Sequence, residues 1–161
     1  MEFRERKPTR LQNYDYSSNG YYFITICTRN KQKLLSHIVG DGAYDVPSVK
    51  LTPIGKIVEK YIISSNNIDK VSVAKYVIMP NHIHLLIFID DAYGSSGAPT
   101  PTNNTISHLV STLKRFVNRA VGKNVFQRSF HDHVVRGDKD YEKIWNYIET
   151  NPQSWEKDKY Y

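Results

Sequence analysis

Four residues hold the chemistry this sequence could perform. His82 and His84 stand two apart in "YVIMPNHIHLLIFID", a run of strand-formers. On a strand, residues i and i+2 project from one face. Two imidazoles so placed can ligate one divalent cation, and a mixed nitrogen and oxygen site accepts Mg2+ or Mn2+. They can equally be a hydrogen-bonded pair on a half-exposed face, and a metal site needs a third protein ligand. Tyr147 and Asn151 stand four apart in "KDYEKIWNYIETNP". The apolar stripe there is Tyr141, Ile144, Trp145 and Ile148, spaced i, i+3, i+4, i+7 as on a helix. At about 100° per residue, Tyr147 falls roughly 110° and Asn151 roughly 70° from the middle of that stripe, on the same side. A tyrosine nucleophile with a polar ligand one turn later would be laid out this way. A surface tyrosine beside an Asn-Pro helix stop is the plainer reading and, for this helix alone, the preferred one.

A second pair, His131 and His133 in "SFHDHVV", has the same strand spacing, so spacing alone does not choose between the pairs. His37 and His108 have no evident partner and read as structural or surface residues.

The elements that must position these residues follow from periodicity. "GYYFITICTRN" is dense in apolar and β-branched residues, a strand over about Tyr21–Thr28. Short strands are expected near Leu34–Val39 and Val49–Leu51. Thr52 as N-cap and Pro53 at the first helical position open a helix whose apolar face is Ile54, Ile57, Val58, Tyr61 and Ile62. It ends at Asn66–Asn67. Val71–Met79 and His82–Ile89 read as antiparallel neighbours joined by the Pro80–Asn81 turn. Residues 90–104 are rich in Gly, Ser, Pro and Thr and are expected to form a mobile loop. Thr105–Val121 has a buried stripe of Ile106, Leu109, Val110, Leu113, Val117 and Val121. Residues 130–136 read as a last strand, and a final helix runs over about 139–151. The order β-α-β-β-α-β-α is an α+β layer pattern with a mostly antiparallel sheet.

The chain has 161 residues, which suits one domain over 1–161 with a basic arm at 1–19. The arm has no apolar segment behind it, and no run is long enough to cross a membrane, so neither a signal peptide nor a membrane partner is expected. The single cysteine, Cys27, excludes an internal disulfide and fits a reducing compartment, the cytoplasm. A net charge of +6 favours polyanion partners, nucleic acid first. Arg4, Arg6, Lys7 and Arg10 could follow a phosphate backbone, as could Lys114, Arg115, Arg119 and Lys123; a solvated charged face accounts for any one of them equally well. Tyr14 and Tyr16 fit either base stacking or packing.

Taken together, "RKPTRLQNYDYSSNGYYFITICT", "MPNHIHLL" and "FQRSFHDHVVRGDKDYEKIWNYIETNP" resemble the REP-associated tyrosine transposases, within the single-tyrosine insertion-sequence group of HUH endonucleases. The resemblance covers nearly the whole chain. It implies a ferredoxin-like α+β sandwich with the HUH motif on a central strand. It also implies that His82 and His84 are metal ligands, Asn151 the third ligand and Tyr147 the nucleophile. His131 departs from the aromatic frequent at its position and is left out of the site; His133 matches a recurrent histidine without an assigned role. The implied activity is Mg2+- or Mn2+-dependent cleavage and transfer of single-stranded DNA near hairpins, REP-like or at insertion-sequence ends. It would pass through a 5′-phosphotyrosine intermediate, with the protein acting as a monomer or homodimer. Two alternatives stay open: a non-catalytic hairpin-binding module derived from a transposase, and a metal hydrolase that uses activated water.

Overall fold

Burial along nearly its whole length marks the central strand of the fold. The computed structural model describes residues 14–16, 18–40, 45–90 and 105–161. Strand β1 spans Gly20–Cys27, β2 Ser36–Val39 and β3 Ser48–Leu51. Helix α1 spans Pro53–Ser64, followed by β4 at Val71–Ile78 and β5 at His82–Ile89. Helix α2 spans Thr105–Val121, β6 His131–Val134 and α3 Gly137–Thr150. A 3-10 segment, Asn151–Lys157, follows α3 directly. The expected mobile loop and the basic residues Arg4, Arg6, Lys7 and Arg10 lie outside the described residues, the loop except for Asp90.

The main sheet has the order β4-β5-β1-β6, every neighbouring pair antiparallel, and β2 and β3 form a separate ribbon. Setting that ribbon aside, this is the ferredoxin-like order, with β5 inserted between β1 and β4. β5 is therefore a central strand, as expected, and is buried along nearly its whole length.

The pleat divides the core. Ile83, Leu85, Ile87 and Ile89 point to the α1–α2 face, with Tyr22, Ile24 and Ile26 of β1. Leu86 points to the α3 face and packs with Ile144 and Ile148, flanked by Tyr21, Phe23, Val77, Tyr141 and Trp145. α3 is further tied to β4 by the Lys75–Glu149 ion pair. Truncating Ile148 to Ala would cost about 2–5 kcal/mol, the usual penalty for a buried aliphatic side chain.

Two anchors fix the approach to β5. Thr52 caps α1 by accepting from Gly55 N at 3.0 Å, and its own hydroxyl donates to Leu34 O at 2.6 Å. Leu35 N donates to Pro80 O at 3.0 Å, and Ser36 Oγ to Ile78 O at 2.8 Å. The Met79–His82 turn is closed by Met79 N donating to His82 O at 2.9 Å. The ribbon thus clamps the turn that delivers His82.

Candidate active site

The register brings distant residues into one row across the α3 face. Val77 of β4 pairs with His84 of β5, which pairs with Thr25 of β1, which pairs with His131 of β6. His82 and His84 are both fully buried. Their Nε2 atoms lie 3.0 Å apart.

The outer nitrogens are also held. Asn81 Nδ2 donates to Tyr160 O at 2.6 Å, which leaves Asn81 Oδ1 to accept from His82 Nδ1 at 2.8 Å. That assigns the His82 proton to Nδ1 and leaves a lone pair on Nε2. His84 Nδ1 lies 2.8 Å from Thr25 Oγ1. In the neutral, metal-free pair Thr25 donates to His84 Nδ1 and His84 Nε2–H donates to His82 Nε2; with Thr25 accepting instead, both Nε2 lone pairs are free for a cation. Partners on the far nitrogen are how proteins orient metal-ligating imidazoles. Burial pulls His82 down to about 4, partly opposed by the Asp158 charge. Burial first, then the neighbouring His82, holds His84 well below its ordinary range. Both rings are therefore neutral at pH 7, the form that binds metal.

Tyr147 stands over this pair. Its ring centroid is 5.2 Å from that of His84 and 6.0 Å from that of Phe23, all within one chain. The side chain is on the flank of α3, 37% exposed. Its hydroxyl donates to Asp158 Oδ2 at 3.3 Å. Burial, then the Asp158 charge and hydrogen bond, push the phenol up to about 12, against a small lowering by Asn151.

Asn151 is buried, 1% exposed, and donates through Nδ2 to Asp158 Oδ2 at 2.9 Å. Its Oδ1 is buried without a hydrogen-bond partner. A buried carbonyl oxygen left unpaired is costly, and a cation would satisfy it.

Asp158 is the residue the sequence did not reveal. One atom from each of His82, His84 and Asp158 can be chosen so that all lie within 4.8 Å of one another. Asp158 Oδ2 is 4.0 Å from His82 Nε2, and its side chain is 1% exposed. It arrives because the 3-10 segment turns the chain back after the Asn151–Pro152 helix end. The converging donors are thus two imidazole nitrogens and a carboxylate oxygen, a set able to hold a divalent cation. Tyr160 closes the outer side, its ring 4.7 Å from His82 and 5.9 Å from His84. Beside it, Trp155 lies 6.0 Å from His82 and lines a groove of about 790 Å3 with Lys33, His37 and Tyr161.

The other sequence candidates divide. His131 shares the row but is exposed, its ring 6.3 Å from Tyr160. His133 bonds Asp140 at 2.8 Å, and Asp140 also accepts from Arg136 N at 2.8 Å, so this histidine ties β6 to the start of α3. The second histidine pair therefore does not converge as the first does. Tyr16 is buried, with its ring centroid 5.1 Å from Tyr14 and 6.1 Å from Tyr22, the packing alternative. Arg115, Arg119 and Lys123 are exposed. The Lys114 ammonium instead donates to Gln127 O at 2.8 Å and to Arg128 O and Ser129 O at 3.1 Å each. Its three donors are spent inside the protein. Cys27 is buried, and burial pushes its thiol up, which disfavours a thiolate role. No described helix is long and apolar enough to cross a membrane.

Comparison with known proteins gives concordant results. The family model described as "Transposase IS200 like" matches residues 16–151. An uncharacterized protein of Haemophilus influenzae is 34% identical over 176 aligned positions, covering 97% of this chain and 93% of its own. A REP-associated tyrosine transposase of Escherichia coli K12 is 24% identical, covering 85% of this chain and 68% of its own. A solved structure of a REP-associated tyrosine transposase bound to a REP hairpin shares the fold, with a TM-score of 0.62 and 22% identity. That match covers 96% of this chain and 74% of that one.

Proposed function

Because this chain belongs to the IS200-like transposase family, we propose that it is a metal-dependent endonuclease and strand transferase. Its substrate is single-stranded DNA beside hairpins, such as REP-like elements or insertion-sequence ends. One observation carries this reading: the Tyr147 ring stands in contact with His84, whose Nε2 is 3.0 Å from that of His82. Nucleophile and paired imidazoles are thus close within one chain, which supports a site assembled in cis.

His82, His84 and Asn151 are the proposed ligands of one Mg2+ or Mn2+, with Asp158 as a further oxygen donor in reach. When bound, the ion supplies positive charge for a non-bridging oxygen of the scissile phosphate. Thr25 and Asn81 hold the two imidazoles in orientation. The Tyr147 oxygen attacks phosphorus and passes its proton toward the Asp158 carboxylate. The new bond is tyrosine oxygen to phosphorus. The bond to the 3′-oxygen breaks, and that oxygen leaves as a hydroxyl after taking up a proton. A second 3′-hydroxyl reverses the step, so joining needs no external energy source.

The test uses Tyr147→Phe with hairpin-bearing single-stranded DNA and Mn2+. The expected result is loss of the covalent adduct with Mn2+ binding unchanged. An adduct that persists in the variant would remove Tyr147 from the mechanism. Cleavage by the parent protein without any adduct would favour the water-activating hydrolase instead.

A further inference from the structure

A cationic feature lies one strand away from the histidines, on a part of the chain the mechanism does not use. Gln127 N donates to Cys27 O at 2.9 Å, and Arg29 N to Val125 O at 2.8 Å. Thr28 and Phe126 form an isolated antiparallel bridge. The segment after α2 is thus laced to the end of β1, where Cys27 pairs with His82. Thr28 also bonds Asn81 O through both its amide, at 2.8 Å, and its hydroxyl, at 3.0 Å. Asn81 in turn holds His82.

Between this lacing and α2 lies a cavity of about 420 Å3, lined by Arg29, Lys114, Asn118, Asn124, Phe126, Gln127 and Arg128. Three of these are cationic, and none of the described lining residues is acidic. The Lys114 ammonium holds the carbonyls of residues 127–129. That fixes the backbone from which Arg128 projects. Asn118 Oδ1 accepts from Val125 N at 2.8 Å and fixes the other end. Arg29 and Arg128 are exposed, with planar forks suited to paired phosphate oxygens.

We propose that this cavity is a phosphate subsite in which Arg29 and Arg128 hold a backbone phosphate of the DNA strand, near the scissile one. The proposal rests on the function proposed above and adds the path of the strand. From the metal-binding face, the strand passes over the end of β1 and β5 to the α2 side. Lys114 is a positioning residue there, because its donors are already committed.

Binding is read with the Tyr147→Phe protein, which under the proposed function holds DNA without cutting it. Hairpin oligonucleotides carry one neutral methylphosphonate at each linkage in turn around the cut site. The expected result is one or two linkages at which neutralisation weakens binding about tenfold, the scale of a charged hydrogen bond. Added Arg29→Gln and Arg128→Gln should abolish that sensitivity and flatten the salt dependence by about 0.7 per lost contact. A scan in which the arginine variants change no single linkage overturns the subsite. So does saturable binding of inorganic phosphate to these arginines without any linkage effect, which would make the ligand a free anion. Neither result touches adduct formation by the parent protein, whose absence would instead overturn the proposed function.

Discussion

Acid should loosen the metal-free protein in a window set by its buried histidines. Burial pulls His82 from 6.5 down to about 4. The folded state therefore resists a proton that the unfolded chain accepts readily. Stability from this group is complete above pH 6.5 and is lost as the pH falls through 4. Its size is about 3 kcal/mol, a large share of an ordinary domain's 5–15 kcal/mol. His84, shifted the same way, steepens the loss. The measurement is urea unfolding with EDTA at half-unit steps from pH 7.5 to 4.5. The parent should lose about 1.4 kcal/mol per pH unit for each proton in the lower half of that range. A His82→Gln, His84→Gln protein should lose clearly less. Equal slopes in the two proteins would refute the reasoning and assign the acid sensitivity to other groups. Saturating Mn2+ should raise stability most at neutral pH, since metal and proton compete for the same Nε2 atoms.

Three further substitutions probe separate parts of the structure. Asp158→Asn should bring the Tyr147 phenol down toward its ordinary value of 10, because the carboxylate charge and hydrogen bond both raise it; ultraviolet titration of the parent against the variant reads this. Lys114→Met should leave three carbonyls without their donor and cost about 1–3 kcal/mol in denaturant unfolding. Fast amide exchange confined to residues 125–130 would be its local sign. Gly55→Ala would place a Cβ 2.0 Å from Leu35 O, and thermal unfolding should show a loss of at least about 2 kcal/mol.

Elements with strong periodicity were legible. The spans of β5 and α2 were read as they stand, because an unbroken apolar run and a six-residue stripe leave little freedom. The Thr52–Pro53 start of α1 was also legible, since capping is local chemistry. Other ends moved. β6 is shorter than read, because its pairing partner is only the Tyr22–Thr25 part of β1. α1 stops at Ser64, and a 3-10 turn takes its place through Asn67. The Tyr147–Asn151 flank followed from helix geometry alone. Asp158 was invisible because Asn151–Pro152 reads as a stop, and the 3-10 turn that returns the chain has no hydrophobic period. Spacing alone did not separate the two histidine pairs, and the family resemblance chose His82 and His84; topology gives the physical reason, with that pair on a central strand and the other on an edge. Lys114 looked like its charged neighbours because sequence does not show which lysine will find three carbonyls.

The site also has an order of assembly. The β4–β5 hairpin is local, so His82 and His84 can be brought side by side early. Thr25, which holds His84, comes from 59 residues away, and such long-range closures are the slow steps of folding. Tyr147, Asn151 and Asp158 all follow the last strand, β6. A chain emerging from the ribosome would thus complete its whole sheet before it held the proposed nucleophile. The half-made protein would have its paired imidazoles but not the tyrosine proposed to attack a strand. On that reading, chain order by itself would keep the proposed cutting activity silent until the last helix docks.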